Sequence, residues 1–499
     1  MARQVPGTLP TAIVSAALGI VLAAGCVWAA GPWSGGQRVS ERENGLRGRL
    51  TPVAEGVVPP SPPAPSSRSA GPTHVPAGAA LDPVLAGDKP GGGLTAAELA
   101  GALGPLTLAP GLGKHVGIAV ADPASPTLLF DDHAADGFAP ASTNKVVTAV
   151  AALAALGPDD RFTTRVVQGP NSGATASIVL VGGGDPTLST QGPSADPGYQ
   201  PASLDDLAAR TAAALRAEGV KSVTLGYDAS VFSGPGLNPT WSPEYTDGNV
   251  APVTGLMVDE GRARAADDLS PRVTDPAGVA AGDFASRLVA HGIQVTGKPA
   301  AASAGSGAQL ADVTSLRLAD LVEHMLTVSD NDLAEALLRH VAVADGRPAT
   351  FDGGVAAVRD ELGKLGLDVT GLDVLDGSGL SRKDSITPAF EVRVLSAAAA
   401  DNHPDLRAAL TGLPVAGFTG TLAEDGRYTT PPSLAGAGLV RAKTGSLTGV
   451  VTLAGLVRDS SGQLLVFSLM ADAAPDSAAA RAAVDRLATT LAGCGCGGG

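Results

Sequence analysis

Aromatic residues and cysteines are scarce in this chain of 499 residues. Phe, Trp and Tyr supply only 3% of the sequence while 44% is hydrophobic, so a large core must be built mainly from Ala, Val and Leu. The three cysteines are Cys26, Cys494 and Cys496, and they form neither a CxxC pair nor a cluster with histidines. The sequence therefore predicts no metal site and no other cofactor.

Positive charge is scarce as well. The formal net charge is -15, and only eight of the 34 basic residues are lysines. Binding to a phosphate backbone needs clustered Lys and Arg, so we expect no nucleic-acid partner. The run Gly182-Gly183-Gly184 is not followed by Gly-Lys-Ser/Thr, which disfavours a phosphate-binding loop.

One long uncharged run lies near the N-terminus. The twenty residues from Thr11 to Ala30 are long enough to span a bilayer, and they also resemble the core of a signal peptide. Residues 1–30 are therefore predicted to be a signal peptide or signal anchor that exports the rest of the chain and provides its only membrane contact. Cys26 follows a loose lipoprotein-type sequence, and lipidation there ranks below a signal anchor.

The segments next to both termini are predicted to lack a packed core. Residues 31–93 are rich in Pro, Gly, Ser and Ala, which is typical of an extended linker. Residues 494–499 are predicted to be a flexible tail, in which Cys494 and Cys496 are either bridged or free thiols.

Patterns typical of a folded chain begin at Leu94, where Thr95 is the expected N-cap of a first helix. An almost wholly apolar helix is predicted at 143–156, and a closing helix at 478–491. Strands are predicted at 115–121, 127–130, 438–443, 450–458 and 464–470. Residues 94–158 and 310–493 should therefore form one antiparallel sheet covered by helices.

Residues 159–309 alternate between strands and helices on their own. Strands are predicted at 161–168, 177–181 and 223–232, with helices at 203–218 and 283–291. We interpret this stretch as an inserted α+β domain, so the fold class of the whole chain is α+β.

Ser142 and Lys145 open the apolar helix with the spacing i, i+3, which places both side chains on one helix face. A serine hydroxyl is a poor nucleophile until a base removes its proton. A lysine can be that base only when neutral, which requires desolvation or a nearby cation. The alternative is an N-capping Ser beside a solvent-reaching Lys.

Two further motifs follow in the chain. Ser329-Asp330-Asn331 lies between helices predicted at 316–326 and 333–341, where a hydroxyl and an amide can relay a proton and hold a carbonyl. Lys443-Thr444-Gly445, followed by Ser446, ends a predicted strand and offers a cation, hydroxyls for a carboxylate and a glycine that allows close approach. Each motif alone is weak, whereas the three in this order are specific.

On these motifs the chain resembles the class C low-molecular-mass penicillin-binding proteins, which are D-alanyl-D-alanine carboxypeptidase/endopeptidases with an inserted domain. Further stretches that agree with the family are Val181 to Leu188, His324 to Leu326 and Asp376 to Arg382. The resemblance implies a serine β-lactamase/DD-peptidase-like domain that acts on peptidoglycan stem peptides and is inhibited covalently by β-lactam antibiotics.

The resemblance also implies residue roles. Ser142 would attack the D-Ala-D-Ala carbonyl, Lys145 would be its base, and Ser329, Asn331 and Lys443 would pass the proton to the leaving amine. Thr444, Gly445 and Ser446 would bind the substrate, with the backbone N–H groups of Ser142 and Ser446 forming the oxyanion hole.

The resemblance further implies that Arg382 is a candidate for contact with the carboxylate of diaminopimelate in the stem peptide, and a guanidinium offers a planar fork for such a carboxylate. Glu244 is a possible partner for the side-chain ammonium of the same residue. The alternative is that Arg382 and Glu244 are ordinary surface charges.

The sequence disfavours three other functions. A serine β-lactamase would have the same fold, but no Glu-x-x-Leu-Asn follows the second motif, and the stretch between Ser142 and Ser329 is long enough for an additional domain. A non-catalytic wall-binding protein would lack catalytic side chains, and all five are present. A Ser-His-Asp hydrolase is disfavoured because no Gly-x-Ser-x-Gly surrounds Ser142.

Overall fold

The computed structural model describes residues 94–125, 127–170, 176–194, 196 and 198–494. The predicted signal segment 1–30, the predicted linker and Cys26 lie outside these residues, and so does Cys496. Among the described residues, no helix is long and apolar enough to cross a bilayer.

The described chain contains both helices and strands. The helices are α1 (Ala96–Thr107), α2 (Asn144–Leu156), α3 (Leu204–Ala217), α4 (Pro276–Ala290), α5 (Leu318–Val328), α6 (Asn331–Ala344), α7 (Phe351–Lys364), α8 (Pro388–Ala399), α9 (Ala408–Thr411) and α10 (Ser477–Gly493). The strands are β1 (Val116–Ala121), β2 (Leu128–Asp132), β3 (Thr163–Gln168), β4 (Ala176–Val181), β5 (Ser222–Asp228), β6 (Gln294–Val295), β7 (Ala300–Ala301), β8 (Gln309–Thr314), β9 (Leu372–Asp373), β10 (Ser385–Ile386), β11 (Val440–Leu447), β12 (Val450–Arg458) and β13 (Leu464–Ala471).

The main sheet joins the two ends of the folded chain. Its strand order is β11-β12-β13-β1-β2, and every neighbouring pair is antiparallel. Helices α1 and α10 pack with the sheet around a core that includes Leu103, Val120, Leu453 and Val484, while α8 packs against β1 and β13. The predicted sheet of two early strands, three late strands and a closing helix is confirmed.

Helix α2 is the central helix of this half of the molecule. Every residue from Asn144 to Leu153 is buried, as expected for a helix that is apolar on all sides. Helices α5, α6, α7 and α8 surround it. Gly157 ends the helix with a φ of 83°, a left-handed conformation that glycine adopts without a steric penalty.

A second sheet lies between the early and late strands of the main sheet in sequence. Its order is β6-β5-β4-β3-β8, and β7 also pairs with β5. The parallel pair β4–β5 is connected by α3, as parallel strands require a crossover. Helices α3 and α4 contribute Leu207 and Phe284 to a separate core on this sheet.

One predicted boundary needs correction. The inserted stretch was expected to end at residue 309, but β8 pairs with β3 from Gln309 to Thr314. The second sheet therefore extends to Thr314, because the strand hydrogen bonds override the looser sequence around Gly305. The division of the chain into independent domains stays a prediction.

Candidate active site

Ser142 lies in a tight turn that leads into α2. The turn is a 3-10 helix over Ala141–Thr143. The hydroxyls of Thr143 and Thr452 donate to the carbonyl oxygen of Pro140 at 2.9 and 2.7 Å. Ala141 has a φ of 48°, which is unfavourable for a residue with a Cβ and is maintained only by surrounding contacts. The predicted nucleophile is therefore held rigidly against strand β12.

Lys145 projects from the first turn of α2 toward Ser142. Its Nζ donates to Ser142 Oγ at 3.0 Å, to Asn331 Oδ1 at 2.7 Å and to the carbonyl oxygen of Ser378 at 2.9 Å. The side chain is completely buried, and this burial lowers its pKa to about 8. The carboxylates of Glu335 and Asp376 limit the decrease in pKa. Lys145 is thus placed and tuned to exchange a proton with Ser142 near neutral pH.

The second motif sits where α5 ends and α6 begins. Ser329 ends α5 in the left-handed conformation, with φ 64° and ψ 40°. Asp330 is the N-cap of α6, and Asn331 is its first residue. The Asn331 amide donates to the carbonyl oxygen of Asn249 at 3.0 Å while its Oδ1 faces Lys145. The amide orientation is therefore fixed from both sides.

The third motif lies inside a strand rather than at its end. Strand β11 continues to Leu447, beyond Lys443-Thr444-Gly445, because each of these residues pairs with β12. The prediction that the strand ends at Lys443 is therefore wrong. Thr444 Oγ1 and Thr421 Oγ1 are hydrogen-bonded at 2.7 Å, and Ser446 is exposed.

Lys443 is also completely buried. Its Nζ donates to the carbonyl oxygen of Thr444 at 2.9 Å. Burial, and then the charge of Lys145, lower the pKa of Lys443 well below that of a free lysine. The two lysines therefore oppose each other's protonation, which modifies the expectation that Lys443 is a permanent cation.

Gly445 permits the contact between β11 and the Ser142 turn. A Cβ at this position would lie 2.0 Å from Thr452 Oγ1 and 2.7 Å from the Pro140 carbonyl oxygen. Both distances are too short for any side chain. The glycine of the third motif thus permits close contact between the strand and the turn that carries Ser142.

The loop from Asp376 to Ser381 completes the site, and sequence analysis assigned it no role beyond family likeness. The Asp376 carboxylate accepts hydrogen bonds at 2.7 Å from the backbone N–H groups of Gly379 and Ser381 and from Trp241 Nε1. Asn144 Nδ2 and Thr148 Oγ1 of α2 donate to the carbonyl oxygens of Asp376 and Gly377. The loop is thereby attached to α2 and presents the Ser378 carbonyl to Lys145.

Glu335 lies behind this loop and was also missed. It is completely buried on α6, and its carboxylate accepts hydrogen bonds from the backbone N–H groups of Gly377 and Ser378, at 3.0 and 2.8 Å. Burial, and then the charge of Asp376, raise the pKa of Glu335 to about 8. An acidic residue on the buried face of an apolar helix was the available sequence signal.

Arg382 and Glu244 are both exposed. Arg382 Nη2 donates to the carbonyl oxygen of Thr448 at 2.7 Å, so its guanidinium lies beside the turn that follows Ser446. Glu244 lies in the short 3-10 helix Pro243–Thr246.

The structure thus joins Ser142, Lys145 and Asn331 by direct hydrogen bonds. Among the described residues, no hydrogen bond connects Lys443 with Lys145 or Ser142, and the two lysines interact through their charges. A buried lysine that contacts a helix-opening serine, beside a second buried lysine, is an arrangement suited to nucleophilic attack by the serine hydroxyl.

Comparison with known proteins agrees with this chemistry. Residues 99–267 and 262–491 match the model of the D-Ala-D-Ala carboxypeptidase 3 (S13) family. Carboxypeptidase DacB of Mycolicibacterium smegmatis is 38% identical over 90% of this chain and 93% of its own length. The D-alanyl-D-alanine carboxypeptidase of an Actinomadura species is 29% identical over 72% of this chain and 78% of its own length.

A solved structure shows the same fold. Penicillin binding protein 4 (dacB) of Haemophilus influenzae superposes with a TM-score of 0.65 at 25% identity. The superposition covers 78% of this chain and 98% of the Haemophilus chain.

Proposed function

Because this chain belongs to the D-Ala-D-Ala carboxypeptidase 3 (S13) family and is a serine-type carboxypeptidase, we propose that Ser142 carries the acyl group during cleavage of D-alanyl-D-alanine. The observation that carries this assignment is the 3.0 Å hydrogen bond from Lys145 Nζ to Ser142 Oγ, made by a lysine that is completely buried.

In the acylation step, neutral Lys145 accepts the proton of Ser142 as Oγ attacks the carbonyl carbon between the two D-alanines. A new C–O bond forms, and the carbonyl oxygen becomes negatively charged. The backbone N–H groups of Ser142 and Ser446 stabilise that oxygen, since they belong to the two elements that Gly445 brings together. Asn331 Oδ1 keeps the lysine amine directed toward the serine.

The leaving amine then takes a proton as the C–N bond breaks. Ser329, Asn331 and Lys443 relay it from the protonated Lys145. The terminal carboxylate of the peptide binds to Thr444 and Ser446, and its negative charge raises the pKa of the nearby Lys443. Substrate binding thus favours the protonated, positively charged form of Lys443, which burial disfavours in the free enzyme. Water finally hydrolyses the ester on Ser142.

The same site would accept a cross-linked peptide whose leaving amine belongs to diaminopimelate, which adds an endopeptidase activity. Arg382 is the residue that would contact the diaminopimelate carboxylate. Its guanidinium is already directed to the turn that follows Ser446 by the Thr448 carbonyl.

The enzyme acts outside the cytoplasm, where peptidoglycan is found. Residues 1–30 would export the chain as a signal peptide or anchor, residues 31–93 would tether the folded part at a distance, and residues 159–314 would form the inserted domain. β-Lactam antibiotics are the expected covalent inhibitors, and a β-lactam complex has been described for the Haemophilus protein.

Mass spectrometry after incubation with benzylpenicillin tests the assignment. We expect one adduct per chain, on the peptide that contains Ser142, that persists for minutes or longer. Release within seconds would favour a β-lactamase, and no acylation at all would favour a non-catalytic wall-binding protein. A stable adduct on any other residue would falsify the role of Ser142.

A further inference from the structure

Three potential metal ligands meet beside the second motif, outside the catalytic contacts. They are Glu260, His324 and Asp330, and one ligand atom of each lies within 4.8 Å of the other two. They come from three separate parts of the chain: the turn Asp259–Gly261, helix α5 and the N-cap of α6. Neither the catalytic proposal nor the substrate proposal uses any of these side chains.

Asp330 has an oxygen without a partner. The residue is only 8% exposed, and its Oδ1 accepts the hydrogen bond from the Leu333 backbone at 2.9 Å. Its Oδ2 is buried and has no hydrogen-bond partner in the described part of the chain. A buried carboxylate oxygen without a donor is costly, so this oxygen is expected to bind a group that the protein itself does not supply.

The other two ligands are held in place by their surroundings. The Asp259 carboxylate accepts hydrogen bonds from Ser189 Oγ and the Thr190 backbone, both at 3.1 Å, which fixes the turn that carries Glu260. The ring of His324 stacks on Tyr199 with a centroid separation of 4.0 Å. Neighbouring residues thus orient both side chains, as the supporting residues around metal ligands generally do.

Acidic groups outnumber basic groups around these three residues, which favours the binding of a cation. Arg262 pairs with Glu260 and Asp268, and Arg272 pairs with Asp332 at 3.4 Å. Asp330 forms no ion pair within the described residues, although it interacts electrostatically with Glu260, Asp332 and both arginines. A divalent ion would compensate the carboxylates that the two arginines leave unneutralised.

We propose that Glu260, His324 and Asp330 bind a divalent transition-metal ion, with zinc as the best match for one imidazole and two carboxylates. Zinc bonds to such ligands are about 2.0–2.2 Å long, so binding would draw the three side chains slightly closer together. Three protein ligands leave a coordination position for water. The ion would connect the turn of Glu260 to the segment that carries Ser329 and Asn331, and would thereby fix that segment.

The test uses the full-length protein, stripped with chelator and titrated with zinc alone. We expect one equivalent of zinc per chain by elemental analysis and a rise in Tm on zinc addition. His324→Phe keeps a ring to stack on Tyr199 but removes both ligand nitrogens, and Glu260→Gln keeps the size of the side chain. Each should weaken zinc binding by at least about tenfold and abolish the rise in Tm.

Two controls separate this site from other zinc ligands. His403→Phe removes a histidine elsewhere, and it should leave zinc binding unchanged, as should replacement of Cys494 and Cys496 by Ser. Penicillin acylation and circular dichroism establish that each variant is folded. Wild-type affinity in both His324→Phe and Glu260→Gln would overturn the proposal, and so would loss of binding in the cysteine variant or a thiolate charge-transfer band with cobalt. If one ligand variant does not fold, the other decides.

Discussion

The two buried lysines of the site lie on different elements and in different surroundings. Lys145, on the helix side, makes three hydrogen bonds and lies among several acidic residues that favour its charge. Lys443, on the strand side, donates to the adjacent Thr444 carbonyl, and its strongest charged neighbour is the other lysine. The two side chains are thus equally buried, but the charges and hydrogen bonds around them differ.

We therefore propose distinct roles for the helix side of the site, formed by Ser142, Lys145 and Asn331, and for the strand side, formed by residues 443–446. The helix side is fully connected in the free protein, so it can activate Ser142 as soon as a substrate arrives. On the strand side, burial and Lys145 disfavour the charge of Lys443, and we propose that a bound carboxylate favours it. Substitutions on the helix side should therefore affect the chemical step, whereas those on the strand side should affect how well different substrates are used.

The largest effect is expected for Ser142→Ala. It removes the nucleophile on the helix side, so both the penicillin adduct and the release of D-Ala should disappear. Ser446→Ala on the strand side removes a hydroxyl but keeps the backbone N–H, and acylation should continue at a reduced rate. Labelling with fluorescent penicillin measures both variants. Residual labelling of Ser142→Ala at the wild-type stoichiometry would contradict the assignment.

Lys145→Ala should reduce the rate of acylation by about 10²–10⁴-fold, the usual contribution of a positioned acid or base. Lys443→Ala should reduce it less for penicillin than Lys145→Ala does, while weakening the use of peptides with a free carboxylate. Stopped-flow acylation measures both rates. Lys298→Ala, at an exposed position, is the control for loss of a lysine. A near-wild-type rate for Lys145→Ala would refute its role as the base.

Glu335→Gln should move the pH profile with a smaller change in maximal rate. Only neutral Lys145 accepts the proton, and its pKa is about 8, so acylation should rise with pH and reach half of its maximum near pH 8. Glu335 makes the largest electrostatic contribution that raises this pKa, although its own pKa of about 8 means that it is only partly charged at the midpoint. Its loss should therefore move the midpoint modestly to lower pH. Glu218→Gln, on the surface, should leave the midpoint unchanged. A shift to higher pH would show that Glu335 acts only on the fold.

Arg382→Ala is expected to have the smallest effect, confined to one substrate class. It should lower kcat/KM for a diaminopimelate peptide by ~1.5–3 kcal/mol, the worth of a hydrogen bond to a charged group. A lysine-containing peptide should be cleaved as before, because it lacks the side-chain carboxylate. Lys383→Ala, its exposed neighbour, serves as the matched control. Equal losses for both peptides would show that Arg382 does not recognise the carboxylate.

The sequence predicted the parts of the fold that have strong periodic or capping signals. Helix α3 begins after Ser203 as expected, and the main-sheet strands lie close to their predicted positions. Helix α4 begins at Pro276 rather than Asp283, although Asp275 as N-cap and Pro at the first position were available signals. Helix α7 was not predicted, because Gly353, Gly354 and Gly363 weaken its pattern.

Part of the site could not be predicted from the sequence, and the reason differs from that for the fold. Motifs identify side chains, so the sequence predicts Ser142, Lys145, Ser329, Asn331 and Lys443 as site residues. Ser378 contributes a backbone carbonyl, which has no characteristic residue type, and Glu335 acts through backbone N–H groups that are distant in sequence. Such contacts are visible only when the fold has brought the segments together.

The position of β1 in the middle of the main sheet has a consequence for biosynthesis. Strand β1 is synthesised well before β13, one of its two neighbours in the sheet. Until β13 has been made, one edge of β1 therefore has no strand to pair with. Because the third motif lies on β11, the proposed active site is complete only after that strand has been made and has paired with β12.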